Sequence, residues 1–168
     1  LIESTMKYIL TFILSFLSFL VCSQNITITD IPTIDQLPVN AIHRVFRDSE
    51  GYMWYGTEGG GLCRDDGYTV KVFRSDFKNP GVLENNSVTC ITEDSEGKIW
   101  FGTKRGAYIL SKTDYEIRAL ADETIKSWTI TTMTATSDGM IWISTNRHLF
   151  RYNALGESCL LYTSPSPR

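Results

Sequence analysis

Between Pro38 and Tyr152 the chain is a series of short apolar and aromatic runs, broken by glycines and acidic residues, the pattern of half-buried strands joined by tight turns. Three stretches repeat: DSEGYMWYGT at 48–57, DSEGKIWFGT at 94–103 and a weaker SDGMIWIST at 137–145. Seven of ten positions in the first pair are identical, and Trp54, Trp100 and Trp142 stand 46 and 42 residues apart. That period suits a propeller blade of four strands. Ile42, Val88 and Ile130 align upstream of each turn, as do Val45, Ile91 and Met133, which predicts an inner strand. MWYGT, IWFGT and IWIST, rich in aromatic and β-branched residues, predict the second strand. Leu62, Tyr108 and Phe150 are read as one column of a third strand, and TVKVF at 69–73 and EIRAL at 116–120 as the fourth.

The repeated residues have structural rather than chemical readings. Gly51, Gly97 and Gly139 tolerate the backbone angles of a short hairpin. Asp48 and Asp94, or Asp138 in what reads as a shortened third copy, are expected to close the turn by bonding nearby backbone N–H groups. Trp54, Trp100 and Trp142 are read as packing between neighbouring sheets rather than as a sugar-stacking platform, because a residue recurring in every repeat serves the repeat. Gly56, Thr57, Gly102 and Thr103 complete the recurring set. The GTEGGG run at 56–61 has neither the Lys-Ser/Thr ending nor the helix of a phosphate loop, and reads as a bend.

Candidate chemistry is sparse. His43 and His148, the two histidines, occupy different repeat positions and form no visible catalytic or metal-binding pair. Glu58, Lys104 and Arg105 lie in the bend between second and third strands, where loops on a regular scaffold commonly bind. No residue is assigned to catalysis, to a cofactor or to a metal, and the ligand-contacting residues are left unknown. With 16 basic against 19 acidic residues and a net charge of -3, the chain has no electrostatic footprint for nucleic acid.

The ends carry different information. Residues 1–5 read as upstream translation before an initiator Met6. Lys7 followed by the apolar run Tyr8–Val21 and Ser23 reads as a signal peptide over 6–23, cut between Ser23 and Gln24. An uncleaved anchor and a lipoprotein cysteine at Cys22 are the alternatives, and all three export the rest of the chain. Residues 24–37 are a lead-in, 38–86 the first repeat, 87–128 the second and 129–158 a partial third. CLLYTSPSPR at 159–168 resembles translated sequencing-adapter DNA and is read as a non-native tail, with a Ser/Pro-rich linker as the alternative. Of the remaining cysteines, Cys63 and Cys90 are expected as buried free thiols, although export permits a bridge.

The Asp-Ser-Glu-Gly turn, the Trp-Tyr/Phe-Gly-Thr strand and the glycine bend together resemble the two-component regulator propeller repeat, over roughly Pro38 to Tyr152. The third copy departs, with Ser144 in place of Gly56 and Gly102. The resemblance implies an all-β fold, an incomplete β-propeller of about three four-stranded antiparallel blades after an N-terminal signal-peptide helix. It further implies a fragment of the periplasmic sensor region of a hybrid two-component histidine kinase of Bacteroidetes type. The partners implied are the remaining blades and downstream domains, and an oligosaccharide ligand, with no nucleic acid in this region. The intact protein is expected to be dimeric and anchored at the periplasmic face of the inner membrane, with kinase activity downstream. A secreted propeller binding or scaffold module, or an exported propeller lyase or glycosidase, are the alternatives.

Overall fold

The computed structural model describes residues 5–9, 12, 30–75 and 83–163, the last five by their backbone. The chain divides into two compact units, Leu1–Ile31 and Pro32–Arg168. In the first, residues 5–9 and 12 are helical and exposed. The rest of the expected signal helix, its cleavage point and the end of the expected tail lie outside the described residues. No helix among the described residues is long and apolar enough to cross a membrane.

The described residues of the second unit form only β-strands apart from a 3-10 turn at Ile34–Gln36 and a short helix. The first sheet comprises β1 (Ile42–Arg47), β2 (Met53–Thr57), β3 (Leu62–Asp65) and β4 (Val70–Phe73). The second comprises β5 (Val88–Glu93), β6 (Ile99–Thr103), β7 (Ala107–Leu110) and β8 (Ile117–Ala119). Helix α1 (Glu123–Lys126), N-capped by the Asp122 side chain, leads into β9 (Ile130–Ala135), β10 (Ile141–Thr145), β11 (His148–Tyr152) and β12 (Ser158–Thr163). Each sheet is antiparallel with its strands in chain order. The first strands β1, β5 and β9 lie side by side, which is the arrangement of inner strands in consecutive propeller blades.

The third sheet is larger than expected. The sequence pattern ends the repeat at 158 with a tail beyond it, but residues 158–163 pair with β11 as its fourth strand. Bare sheet edges are strand acceptors, and the apolar SCLLYT run meets one. The third-strand column is also corrected. Tyr108 pairs with Phe101 and Phe150 with Ile143, but the residue opposite Tyr55 is Cys63. Leu62 pairs with Gly56, so it belongs with Ala107 and Leu149 on the opposite face. A slip of one residue moves a side chain across the sheet.

This alternation sets the core. On β2, Tyr55 points to a small cluster with Leu37 and Cys63, whereas Trp54 points to the second sheet and packs with Phe73, Val88, Ile99 and Phe101. Trp100 repeats this one blade on, against Ile130, Ile141, Phe150 and Tyr152. Both indoles are fully buried. Each removes about 200 Å² from water, at most on the order of 5 kcal/mol of burial. Trp142 points the same way on the third sheet and is half-buried, with the Arg151 guanidinium over its ring at 5.7 Å.

The turn aspartates do more than close turns. Asp48 Oδ1 accepts the N–H groups of Glu50 at 3.0 Å and Tyr52 at 2.9 Å, while Oδ2 accepts the Trp54 indole N–H at 2.8 Å. Asp94 does the same for Glu96, Lys98 and Trp100. One carboxylate thus ties the hairpin to the interface ring, which satisfies a buried donor that would otherwise be costly. The third turn is not shortened: Thr136 occupies the aspartate position, and Asp138 stands two residues later. Thr136 donates to Asp138, whose carboxylate also accepts the Met140 N–H at 3.4 Å, and Trp142 has no carboxylate in that place.

Gly56 and Gly102 are required by the next blade rather than by their own dihedrals. A Cβ on Gly56 would stand 2.9 Å from Val88 Cγ1, and one on Gly102 would stand 2.5 Å from Ile130. The start of the next inner strand crosses directly over them. Cys63 and Cys90 are buried free thiols in different clusters, and burial pushes each up to about 11.

Candidate ligand-binding site

At the start of each inner strand the pairing slips by one residue. β1 skips His43, β5 skips Thr89 and β9 skips Thr131, each of which is the extra residue of a β-bulge. A bulge kinks the strand and re-aims its unpaired side chain. All three line one open concavity of about 550 Å³, shared by the three first strands. Arg44 and Thr129 add polar groups to it, and the half-buried Ile42 adds apolar surface, whereas the Ile130 side chain is buried in the core behind it.

Hydrogen bonds between blades hold these groups in place. Arg44 Nε donates to the Thr89 carbonyl at 3.1 Å, and Thr89 Oγ1 donates to the Ile130 carbonyl at 2.6 Å. Thr129 Oγ1 donates to the Lys104 carbonyl at 3.1 Å, and within the third blade Thr131 Oγ1 donates to the Ser144 carbonyl at 3.0 Å. Within each blade, the Glu58 N–H donates to the Ala41 carbonyl and the Lys104 N–H to the Ser87 carbonyl.

The second-to-third-strand bends form a charged rim. Lys104 of the second blade donates to Glu58 of the first, Ser87 Oγ donates to the same carboxylate at 3.2 Å, and His43 Nε2 stands 3.0 Å from it. Lys104 beside Glu58 holds that carboxyl below its ordinary range. Of the residues singled out in the sequence, Glu58, Lys104 and His43 are therefore brought together. Arg105 is not: its carbonyl accepts from the Thr103 and Tyr108 hydroxyls, and its side chain is exposed. His148 lies edge-on to the Trp128 ring, with centroids 5.1 Å apart. Sequence reading misses Arg44, Thr89, Thr129 and Thr131. The usable signal is that the residue after the aligned Ile42, Val88 and Ile130 is polar in every copy. Among the described residues no three His, Cys, Asp or Glu side chains are grouped as a metal site.

The repeat motif residues stand apart from this concavity. Asp48, Gly51 and Trp54, with Asp94, Gly97 and Trp100, serve the hairpins and interfaces, as do Gly139 and Trp142 in the third sheet. Thr57 and Thr103 are fully buried and donate across their bends, to the carbonyls of Gly61 and Arg105 at 2.7 Å.

Comparison with known proteins places these repeats. Residues 36–59 and 82–105 match the family described as the two component regulator propeller. No curated protein matches the chain. Among solved structures, virginiamycin B lyase from Staphylococcus aureus superposes with a TM-score of 0.63 at 21% identity, covering 78% of this chain and 44% of the lyase. The extracellular domains of two proteins assigned as hybrid two component systems of B. thetaiotaomicron superpose with TM-scores of 0.61 and 0.63 at 21% and 22% identity. They cover 84% and 77% of this chain but only 18% and 19% of their own length. The chain thus spans less than half of any of these proteins, and at such identities the likeness is one of fold. Two of its repeats thus match the two component regulator propeller, and its three four-stranded sheets share the fold of these propeller structures.

Proposed function

We propose that this chain is part of the periplasmic ligand-sensing propeller of a hybrid two-component histidine kinase, detecting a glycan breakdown product for transmembrane signalling. The observation that carries the reading is the concavity where three inner strands present imidazole, guanidinium and hydroxyl groups beside the half-buried Ile42. Such mixed lining, with a few placed polar groups over apolar surface, is what small-molecule sites use. The regulator-propeller repeats and the fold likeness to extracellular domains of two component systems support the same reading. On this proposal the fragment binds and does not catalyse. Occupancy is transmitted through further blades and a membrane helix to a dimeric kinase that autophosphorylates on histidine.

Calorimetric titration of the chain with oligosaccharides released by partial hydrolysis of plant and animal polysaccharides tests it. Binding that weakens in His43→Ala supports the site, whereas no heat with any oligosaccharide sinks it. A second reading, an exported propeller lyase, is favoured by the likeness to virginiamycin B lyase. Loss of virginiamycin B incubated with the chain, followed by mass spectrometry, would favour that reading over the sensor.

A further inference from the structure

Resting on the reading of the concavity as a ligand site, we infer that its ligand is a hydroxyl-rich carboxylate, a sugar acid of the uronic class, and that Arg44 selects for the acid group. A threonine hydroxyl has one proton and two lone pairs. Thr89, Thr129 and Thr131 each commit that proton to a protein carbonyl, those of Ile130, Lys104 and Ser144. Toward a ligand they offer acceptor lone pairs only. A bare inorganic anion has no hydrogen to give them, whereas a sugar's hydroxyl groups do.

Arg44 supplies the opposite chemistry. Its Nε is fixed on the Thr89 carbonyl at 3.1 Å, which orients the guanidinium plane while the side chain stays exposed. The remaining N–H groups form a planar fork that matches a carboxylate with two parallel bonds. Among the described residues, no acidic side chain lines the concavity. Glu58, which reaches it through His43, already has its charge countered by Lys104. The half-buried Ile42 provides apolar surface for the C–H face of a sugar ring. Acceptors and a cationic fork beside Ile42 together describe an acid sugar better than a neutral one.

The test pairs galacturonate, glucuronate and mannuronate trisaccharides with the same trisaccharides after their carboxyls are reduced to hydroxymethyl groups. Each is titrated into the wild-type chain and into Arg44→Gln and Thr89→Val. The expected result is at least one acid bound about tenfold more tightly than its reduced counterpart. Arg44→Gln should erase that difference by weakening the acid far more than the neutral sugar, and Thr89→Val should weaken both sugars alike. Equal binding of acid and neutral forms overturns this inference but leaves glycan sensing standing. Loss of both forms in Arg44→Gln overturns the selective role of Arg44. No binding of any acid or neutral sugar overturns the reading of the concavity itself.

Discussion

Between the first two sheets, Trp54 lies against Phe73 with ring centroids 6.0 Å apart, Phe101 stacks on Tyr108 at 5.4 Å, and a lysine reaches across the seam. Lys112 Nζ stands 2.7 Å from Glu93, 2.9 Å from Glu50 and 3.6 Å from Asp48, and Ser49 donates twice to Glu93. Between the second and third sheets, Trp100 sits mostly among aliphatic side chains, Ile109, Leu120, Ile125 and Ile141, with the Tyr152 ring tilted against it at 6.5 Å. Where the second repeat has Lys112 and Glu93, the third has Ala154 and Ala135. The same Asp–Trp–Gly device therefore stacks both pairs of blades, while its surroundings are charged and aromatic in one seam and largely aliphatic in the other. The device is the common requirement, and the filling is local.

A second contrast lies in the turn between third and fourth strands. Gly67 and Gly156 take positive φ there in the first and third sheets, but the second uses Tyr115 at φ 61. A side chain in that conformation costs about 1 kcal/mol. Its ring lies between Arg64 and Lys71 of the neighbouring blade, which offsets the cost.

The largest test of the comparison removes the ring that both seams share. Trp100→Ala should cost about 4 kcal/mol of unfolding free energy. Trp142→Ala, on the half-buried face, should cost about 1 kcal/mol. Urea melts followed by far-ultraviolet circular dichroism compare them, and equal losses would break the assignment of Trp100 to an interface core.

Next in size is the charged seam. Lys112→Met leaves Glu93 and Asp48 without their cation and should cost about 3 kcal/mol at neutral pH. The pH dependence gives the sign. Burial pushes Glu93 up, but bonds from Lys112 and Ser49 outweigh it and hold the carboxyl below its ordinary 4.5. Its contribution is full above that ordinary value and is lost as pH falls through the lower folded one. Burial pulls Lys112 down, but bonds from Glu93 and Glu50 outweigh this and raise it above its ordinary 10.5. That contribution is full below the ordinary value and is lost as pH rises through the higher one. Wild-type stability should therefore fall more steeply with acid than that of Lys112→Met. Parallel slopes would show that the cluster adds nothing specific.

Gly102→Ala should cost about 2 kcal/mol in the same urea melts, because Ile130 has no room to retreat from the new methyl. Asp94→Asn should cost about 1.5 kcal/mol, since an asparagine oxygen can still close the turn but its amide then faces the Trp100 indole N–H donor to donor. Slower hydrogen exchange at that indole in the variant than in wild type would contradict this bond's role. The smallest effect is expected for Ser144→Ala, within about 0.5 kcal/mol.

Much of the fold is legible in the sequence because its signals are local and recur. The 46- and 42-residue spacing of the tryptophans, the Asp-Ser-Glu-Gly turns and the aligned apolar columns each sit within one hairpin, where period and turn chemistry are written in adjacent residues. Leu62 is misplaced by the pattern because a glycine bend differing by one residue between copies hides which face comes after it. The candidate site is harder. Glu58 and Lys104 can be flagged as bend residues, but nothing in sequence says that they meet. The bulges that turn His43, Thr89 and Thr131 into one concavity depend on pairing with a partner strand.

The sequence by itself determined the unit: a four-stranded antiparallel hairpin repeat, with a tryptophan on the face opposite its neighbouring aromatic, because alternation and turn geometry act over a few residues. Only the tertiary structure decided what lies between units. Gly102 is needed because Ile130 crosses above it, Asp48 meets Lys112 from the next repeat, and Arg44 is aimed by the Thr89 carbonyl. These contacts join residues far apart in the chain, and their geometry is set by how the sheets stack, which no local pattern encodes.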